Sequence, residues 1–309
     1  MATEGLRLQR WRRHGQLAFF ALFVAAPPLD LLRYDLRADH LVVLGRPWGL
    51  GLDAFTSGAI GGPEAALQLA LRGLLPILAL AFGLGWVAWR HGRLYCGWLC
   101  PHYLAVETVN RLMTRAIGRP SLWERGVSGP LRPLRLIPMG ATIVGLGAIW
   151  ALTLLSYLIP PREIWSGLLH ADLARGPALF LGVAWLVFSL EFLLARHLFC
   201  RFGCAVGLFQ SIVWMANPRA RRIAVLPGRA PACSGCDVAC ERECPMRLRP
   251  RAPRHRIFTC TQCGACVSAC RESTAERGLR PVLDWQTPVR AAGRRPPSIA
   301  RSVTSWKSG

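Results

Sequence analysis

The sequence predicts an α-helical membrane protein, a four-transmembrane-helix bundle made of two repeated hairpins and followed by a small cysteine-dense module. Three observations predict it. Apolar residues make up 52% of the 309-residue chain and charged residues only 18%, below the roughly 25% charged of an average soluble domain. Four apolar stretches approach the ~20 residues that a helix needs to cross hydrocarbon. The basic residues fall between those stretches in a regular alternation.

The first stretch, about residues 16–33, begins QLAFFALFVAAPPLDLL. The second covers about 70–90 and is closed by Arg90 and His91. The third, about 136–160, has no charged residue, and the fourth, about 176–196, holds Glu191 and stops at Arg196. Pro27, Pro28 and Pro76 are tolerable inside membrane helices, where neighbours re-satisfy the backbone. A cleaved signal peptide competes for the first stretch because Arg12 and Arg13 precede it. Cleavage would break the charge alternation described next.

The net charge of +21 is carried by three blocks: +3 in residues 1–16, +6 in 90–135 and +12 in 217–309. Residues 30–64 sum to −2 and 161–176 to zero. A basic protein could meet nucleic acid or an anionic membrane, but this alternation reads as topology, with no nucleic acid as partner and membrane lipid instead. The positive-inside rule puts both termini and the 90–135 loop on the cytoplasmic side of a bacterial inner (plasma) membrane, multi-pass. Residues 1–15 then form a basic cytoplasmic tail. Residues 102–113 and 205–216 read as helices lying at the inner interface, a fifth span over 198–216 being the competing reading. Trp86, Trp89, Tyr95, Trp98, Tyr157 and Trp165 read as interfacial anchors. Residues 217–281 form the soluble module, and 282–309 read as a disordered basic tail.

The membrane domain, residues 16–216, contains a repeat. WRHGRLYCGWLCPHYLAVETV ends the second stretch and ARHLFCRFGCAVGLFQSIV ends the fourth. Each has an Arg-His pair, an aromatic, Cys-x3-Cys and an apolar run, as two hairpins related by an axis along the membrane normal would give.

All twelve cysteines lie in motifs. Cys260, Cys263, Cys266 and Cys270 have C-x2-C-x2-C-x3-C spacing, which lets one tight loop place three thiolates on a [4Fe–4S] cube while the fourth serves a second cube. Gly264 permits the close turn. Cys233, Cys236, Cys240 and Cys244 form the first run, with one extra residue before Cys240 and Pro245 at its end. Exchanging fourth cysteines assigns Cys233, Cys236, Cys240 and Cys270 to one cluster and Cys260, Cys263, Cys266 and Cys244 to the other. A pair of zinc sites competes, as does plain packing for the membrane-edge pairs. Those pairs, Cys96 with Cys100 and Cys200 with Cys204, offer a redox or metal centre if they converge. His91 and His197 hold matching places in the repeat, where they could contact quinol or cap helix ends; His102 is similarly placed. Glu191, costly inside a membrane, is a candidate proton carrier or a partner of Arg196 or Arg90.

With YCGWLCP, FCRFGCAVG and the two four-cysteine runs in view, the chain resembles the NapH-type membrane ferredoxins and their MauN relatives from about residue 15 to 275. The resemblance implies four spans, a cytoplasmic two-cluster domain, and electron transfer between the quinone pool and a partner ferredoxin, cytochrome or periplasmic oxidoreductase system. The second pair departs from the family's Cys-x3-Cys-Pro, having Ala205 after Cys204. The LRYDL segment is also similar to cytochrome-oxidase assembly ferredoxins tied to copper handling, which implies the rival function, an accessory protein for metalloenzyme assembly or maturation. No nucleotide-binding glycine fingerprint or haem-attachment motif is present, so the reading is an electron-transfer component of a quinol dehydrogenase system, not a stand-alone enzyme.

Overall fold

The computed structural model describes residues 2–38, 40–123, 132–233 and 236–287. Its first element, α1 (Ala2–Ala25), is one unbroken helix. The residues expected as a basic tail are therefore helical, as their Leu, Arg, Gln and Glu content favours. Three short antiparallel strands follow, β1 (Leu32–Asp35), β2 (His40–Val43) and β3 (Arg46–Trp48). A two-residue turn at Leu44 and Gly45, both left-handed, joins β2 to β3, the geometry a tight hairpin prefers.

After the short α2 (Leu52–Thr56), α3 (Gly62–Leu69) runs through a π-turn at Ala70–Leu74 into α4 (Leu75–His91). Pro76 has no N–H to give the Arg72 carbonyl; the Trp48 indole supplies that bond at 3.1 Å. Next come α5 (Leu94–Trp98), α6 (Pro101–Ile117), α7 (Pro133–Ser156), α8 (Pro161–Leu169) and α9 (Arg175–Leu190). A π-turn at Glu191–Ala195 extends α9, a second at Phe199–Gly203 follows, and α10 (Ala205–Ala216) closes the helical part. The cysteine module contains β4 (Arg222–Val225), α11 (Ala239–Arg242), α12 (Ala265–Glu276) and β5 (Leu283–Gln286).

Among the described residues, three helices are long and apolar enough to cross a membrane: Gly62–His91, Pro133–Ser156 and Arg175–Ala195. The helix of the first stretch is not one of them, because its first half is basic. It nevertheless reaches from the cysteine module to the C-terminal end of α7. At one end Gly5 accepts a bond from Ser268 of α12, and at the other Phe23 accepts one from the Tyr157 hydroxyl. The helices do not close into one tight bundle. α7 packs along α9, and Phe192, Met113, Val109, Met139, Ile143 and Trp150 form a buried core with α6. α4 leans mainly on α10, leaving Ile77, Leu80 and Phe82 66–81% exposed. Apolar side chains facing lipid need no protein partner.

Two expectations change. α6 is not an interfacial helix with a lipid-facing stripe: Val106, Val109, Met113 and Ala116 are fully buried against protein. α10 does keep Val206, Phe209 and Ile212 exposed. Residues 283–286 are not a disordered tail but β5, antiparallel to β4 with Val225 opposite Leu283. Val282 and Leu283 have apolar side chains that the module core buries. The rest of the expected tail, residues 288–309, lies outside the described residues.

Candidate functional site

The two cysteine runs interleave. One hollow is walled by Cys233, Cys236, Cys240 and Cys270, with Arg251, Thr274, Val282 and Leu283 among its neighbours. The other is walled by Cys244, Cys260, Cys263 and Cys266, with Ile223, Met246 and Ile257. Each thus takes three thiols from one run and the fourth from the other. α12 makes the exchange, because Cys266 and Cys270 sit one turn apart on it and open to different hollows. Among the described residues no three His, Cys, Asp or Glu side chains converge closely enough for a single ion. Zinc holds its sulfurs at about 2.3 Å, so four thiols that line one hollow without converging on a single ion fit a multi-metal cluster better.

Backbone N–H groups face these sulfurs. Leu248 N–H donates to Cys244 at 3.4 Å, and Val238 and Ala239 serve Cys236 while Gln262 serves Cys260. The turns that aim them pass through left-handed backbone at Val238, Arg247, Gln262 and Gly264, making the anion-binding concavities typical of phosphate and iron–sulfur sites. A side chain at Gly264 would meet the Trp285 ring at 2.5 Å. Arg271, which follows Cys270, continues α12 and reaches Asp284 of β5 at 3.3 Å. Burial pushes the Cys240 and Cys260 thiols up to about 12 and Cys244 up to about 11. Burial also opposes ionisation of Cys236, but the Ser273 hydroxyl and the two N–H groups hold it below the ordinary thiol value. Metal ligation must displace the protons of the former group.

The module is locked to the segment after α4. The Trp98 indole donates to Gln262 O at 3.2 Å, the Thr261 hydroxyl to Tyr103 at 3.0 Å, and Asn110 to Pro245 O at 3.4 Å. Trp98 is therefore a docking residue and not a lipid anchor. From α1, Gln9 donates to Cys263 O at 3.1 Å. Arg12 pairs with Glu107 at 2.8 Å, both nearly inaccessible, and also donates to Gly97 O, as does Gln16. Arg93 is 1% exposed and donates to Gly207 O at 2.7 Å, Cys200 O at 2.8 Å and Thr259 O at 3.3 Å. Its planar fork suits binding several carbonyls at once. Sequence reading missed Gln9, Arg12, Gln16 and Arg93 as positioning residues. The spacing of 9, 12 and 16 along one helix face was the available signal.

The membrane-edge pairs are built alike. Cys96 lies in α5 and Cys100 caps the N-terminus of α6; Cys200 lies in the second π-turn and Cys204 caps α10. Pro101 starts a new helix, so Cys96 and Cys100 do not share one. Gly207 N–H donates to Cys204, and Gln210 reaches across to Cys96, each at 3.4 Å. Burial raises the Cys96, Cys100 and Cys200 thiols, and the pairs act on one another: Cys204 raises both Cys96 and Cys100, and Cys100 raises Cys200. Cys100 and Cys200 pack with Cys244, Cys260 and Cys263 around Tyr103, Met246 and Ile257.

Among the described residues the Glu191 carboxylate forms no ion pair with Arg196 or Arg90, although Arg196 lies within its electrostatic reach. The carboxylate lies 3.4 Å from His102 Nε2, and neither oxygen has a hydrogen bond among the described residues. The His102 ring stacks on Phe192 and meets Phe199 and Trp150 edge-on. Arg196 instead points Nη1 at Met113 Sδ. His91 stays at the end of α4 near Arg221, and His197 is buried beyond α9. The structure therefore groups Glu191 with His102 rather than with the two matched histidines.

The family profile described as "4Fe-4S binding domain" matches residues 74–120, a segment that holds Cys96 and Cys100 and none of the module's eight cysteines. Among curated proteins, the chain is 27% identical over 258 residues to the methylamine utilization ferredoxin-type protein MauN of Methylorubrum extorquens, covering 79% of this chain and 78% of that one. It is 23% identical over 281 residues to the ferredoxin-type protein NapH of Haemophilus influenzae, covering 87% and 89%. A protein named for electron transport, YccM of Escherichia coli strain K12, is 24% identical over 277 residues, covering 84% and 72%. No solved structure matches the chain. Taken with the cysteine-lined hollows, these likenesses identify the chain as a ferredoxin-type electron-transport protein, similar over most of its length to the NapH and MauN proteins.

Proposed function

We propose that this chain is a membrane-anchored carrier of two [4Fe–4S] clusters, exchanging electrons between the quinol pool and a partner redox protein. One cluster would be held by Cys233, Cys236, Cys240 and Cys270, the other by Cys244, Cys260, Cys263 and Cys266. The observation that carries the reading is that each hollow is walled by four thiols, three from one run and one from the other. A bound cluster supplies reversible one-electron storage. The chain's own residues provide thiols, inward-facing N–H groups, and a scaffold that fixes the loop at residues 259–264 against the helices.

The quinol link draws support from the Glu191–His102 pair. Oxidising a hydroquinone releases two protons with its two electrons. This pair supplies a carboxylate without hydrogen bonds among the described residues and an imidazole nitrogen beside it, at the end of an apolar helix. The three apolar helices, with α1 as a fourth element, are read as the anchor, with the cysteine module on the cytoplasmic side.

Anaerobically purified protein should contain acid-labile sulfide and show EPR of reduced cubes. Cys270→Ser should remove about four irons per chain while leaving the signal of the other cluster, and Cys244→Ser should do the reverse. Colourless, zinc-loaded protein would overturn the reading. Loss of both signals together in each variant would overturn the crossed assignment.

A further inference from the structure

Four thiols remain outside the two hollows, and they come from both halves of the repeat. α10, which follows the second pair, reaches the first through the Gln210–Cys96 bond. Arg93, three residues before Cys96, binds the carbonyl of Cys200 from the other pair. Cys100 and Cys200 both pack against one buried apolar patch. All four cysteines are free thiols.

The surroundings suit negative sulfur. Gly207 N–H faces Cys204 and the Gln210 amide faces Cys96. Cys100 and Cys204 each stand at the N-terminus of a helix, of 17 and 12 residues, where partial positive charge gathers. Arg93 has its whole hydrogen-bonding fork on carbonyls, and among the described residues no carboxylate pairs with it. A buried guanidinium without a counter-charge is costly, and a thiolate-ligated cluster is an anion. A mononuclear site does not fit, since no three of these groups converge on a single ion.

We propose that Cys96, Cys100, Cys200 and Cys204 together hold a third iron–sulfur cluster, of the [4Fe–4S] class, between the helices and the cysteine module. It would gain or lose one electron through a formal Fe(III)/Fe(II) change, with no bond made or broken, and its assembly would release the four thiol protons. The proposal extends the two-cluster reading and can fail separately from it.

The test is iron and labile-sulfide analysis of the anaerobically purified full chain, beside the variant with all four residues changed to Ser. About twelve irons per chain falling to about eight is expected. About eight in both overturns the third centre and leaves the two-cluster reading intact; no iron in either overturns both. Should the fourfold variant not accumulate, Gln210→Leu decides, because removing an N–H···S bond makes a cluster harder to reduce. In an EPR-monitored redox titration, one signal of three should move to lower potential. Two signals only, or three with none shifted, overturns the proposal.

Discussion

Gly97 offers a sharp test of how the cysteine module is held. A methyl group there would lie 2.2 Å from Thr261 O, 3.1 Å from its carbonyl carbon and 3.3 Å from Cys263 N. Carbon contacts are comfortable only at about 3.5–4.0 Å, and these are backbone atoms that cannot rotate aside. Gly97→Ala must therefore push the turn after α4 away from the loop at residues 259–264. Overpacking of this kind costs about 1–3 kcal/mol. The same shift would strain the bonds that Arg12 and Gln16 make to Gly97 O, so the estimate is a lower one. It corresponds to a loss of about 5–150-fold in the ratio of docked to undocked module. Hydrogen exchange of the amides at residues 261–264 should accelerate by that factor, since exchange reads local opening. Gly83→Ala is the control, because nothing lies within 4 Å of a Cβ added there. Equal exchange in the two variants, within about twofold, would refute the docking argument.

The Arg12–Glu107 pair should behave as a buried unit. Among the described residues Arg12→Met leaves Glu107 with only Arg111 at 3.9 Å and should cost about 3–5 kcal/mol, whereas Arg12→Met with Glu107→Met should recover most of it. Thermal bleaching of visible absorbance would show this, and additive losses would contradict it. For the proton pair, Glu191→Gln should slow cluster reduction by a quinol analogue by about 10²–10⁴-fold and leave reduction by dithionite unchanged. Equal slowing with both reductants would reassign Glu191 to structure.

The helices were legible because hydropathy and length speak directly to membrane crossing, and the cysteine grouping because spacing limits where sulfurs can point. What stayed hidden depended on long-range partners. Arg12 and Arg93 contribute to a charge count in sequence; their burial depends on carbonyls up to 166 residues away. Glu191 could be recognised as costly, but its partner His102 belongs to the other half of the repeat. β5 was unreadable because four residues give no periodicity, and its assignment comes from pairing with β4 across more than fifty residues. α1 misled for a different reason: a helix whose polar half packs on protein has neither the composition of a span nor the disorder of a tail.

The segment that the cluster-binding family profile matches, residues 74–120, is also the one that docks the cysteine-rich module. That segment presents Arg93, Gly97, Trp98, Tyr103 and Asn110, and four of these bond to or abut the loop at residues 259–263, while Asn110 reaches Pro245. The loop holds Cys260 and Cys263 and has little regular structure of its own, so its thiols are positioned by the segment as much as by the module. A soluble carrier tethered for mobility would need only a linker. Here α1, the turn after α4 and the N-terminal turn of α10 all bind the module or its neighbours through buried polar groups, at a cost in desolvation that only a fixed placement offsets. The arrangement therefore favours an electron carrier whose centres stand at a set distance from the apolar helices, one that partners must approach and that does not itself diffuse to them.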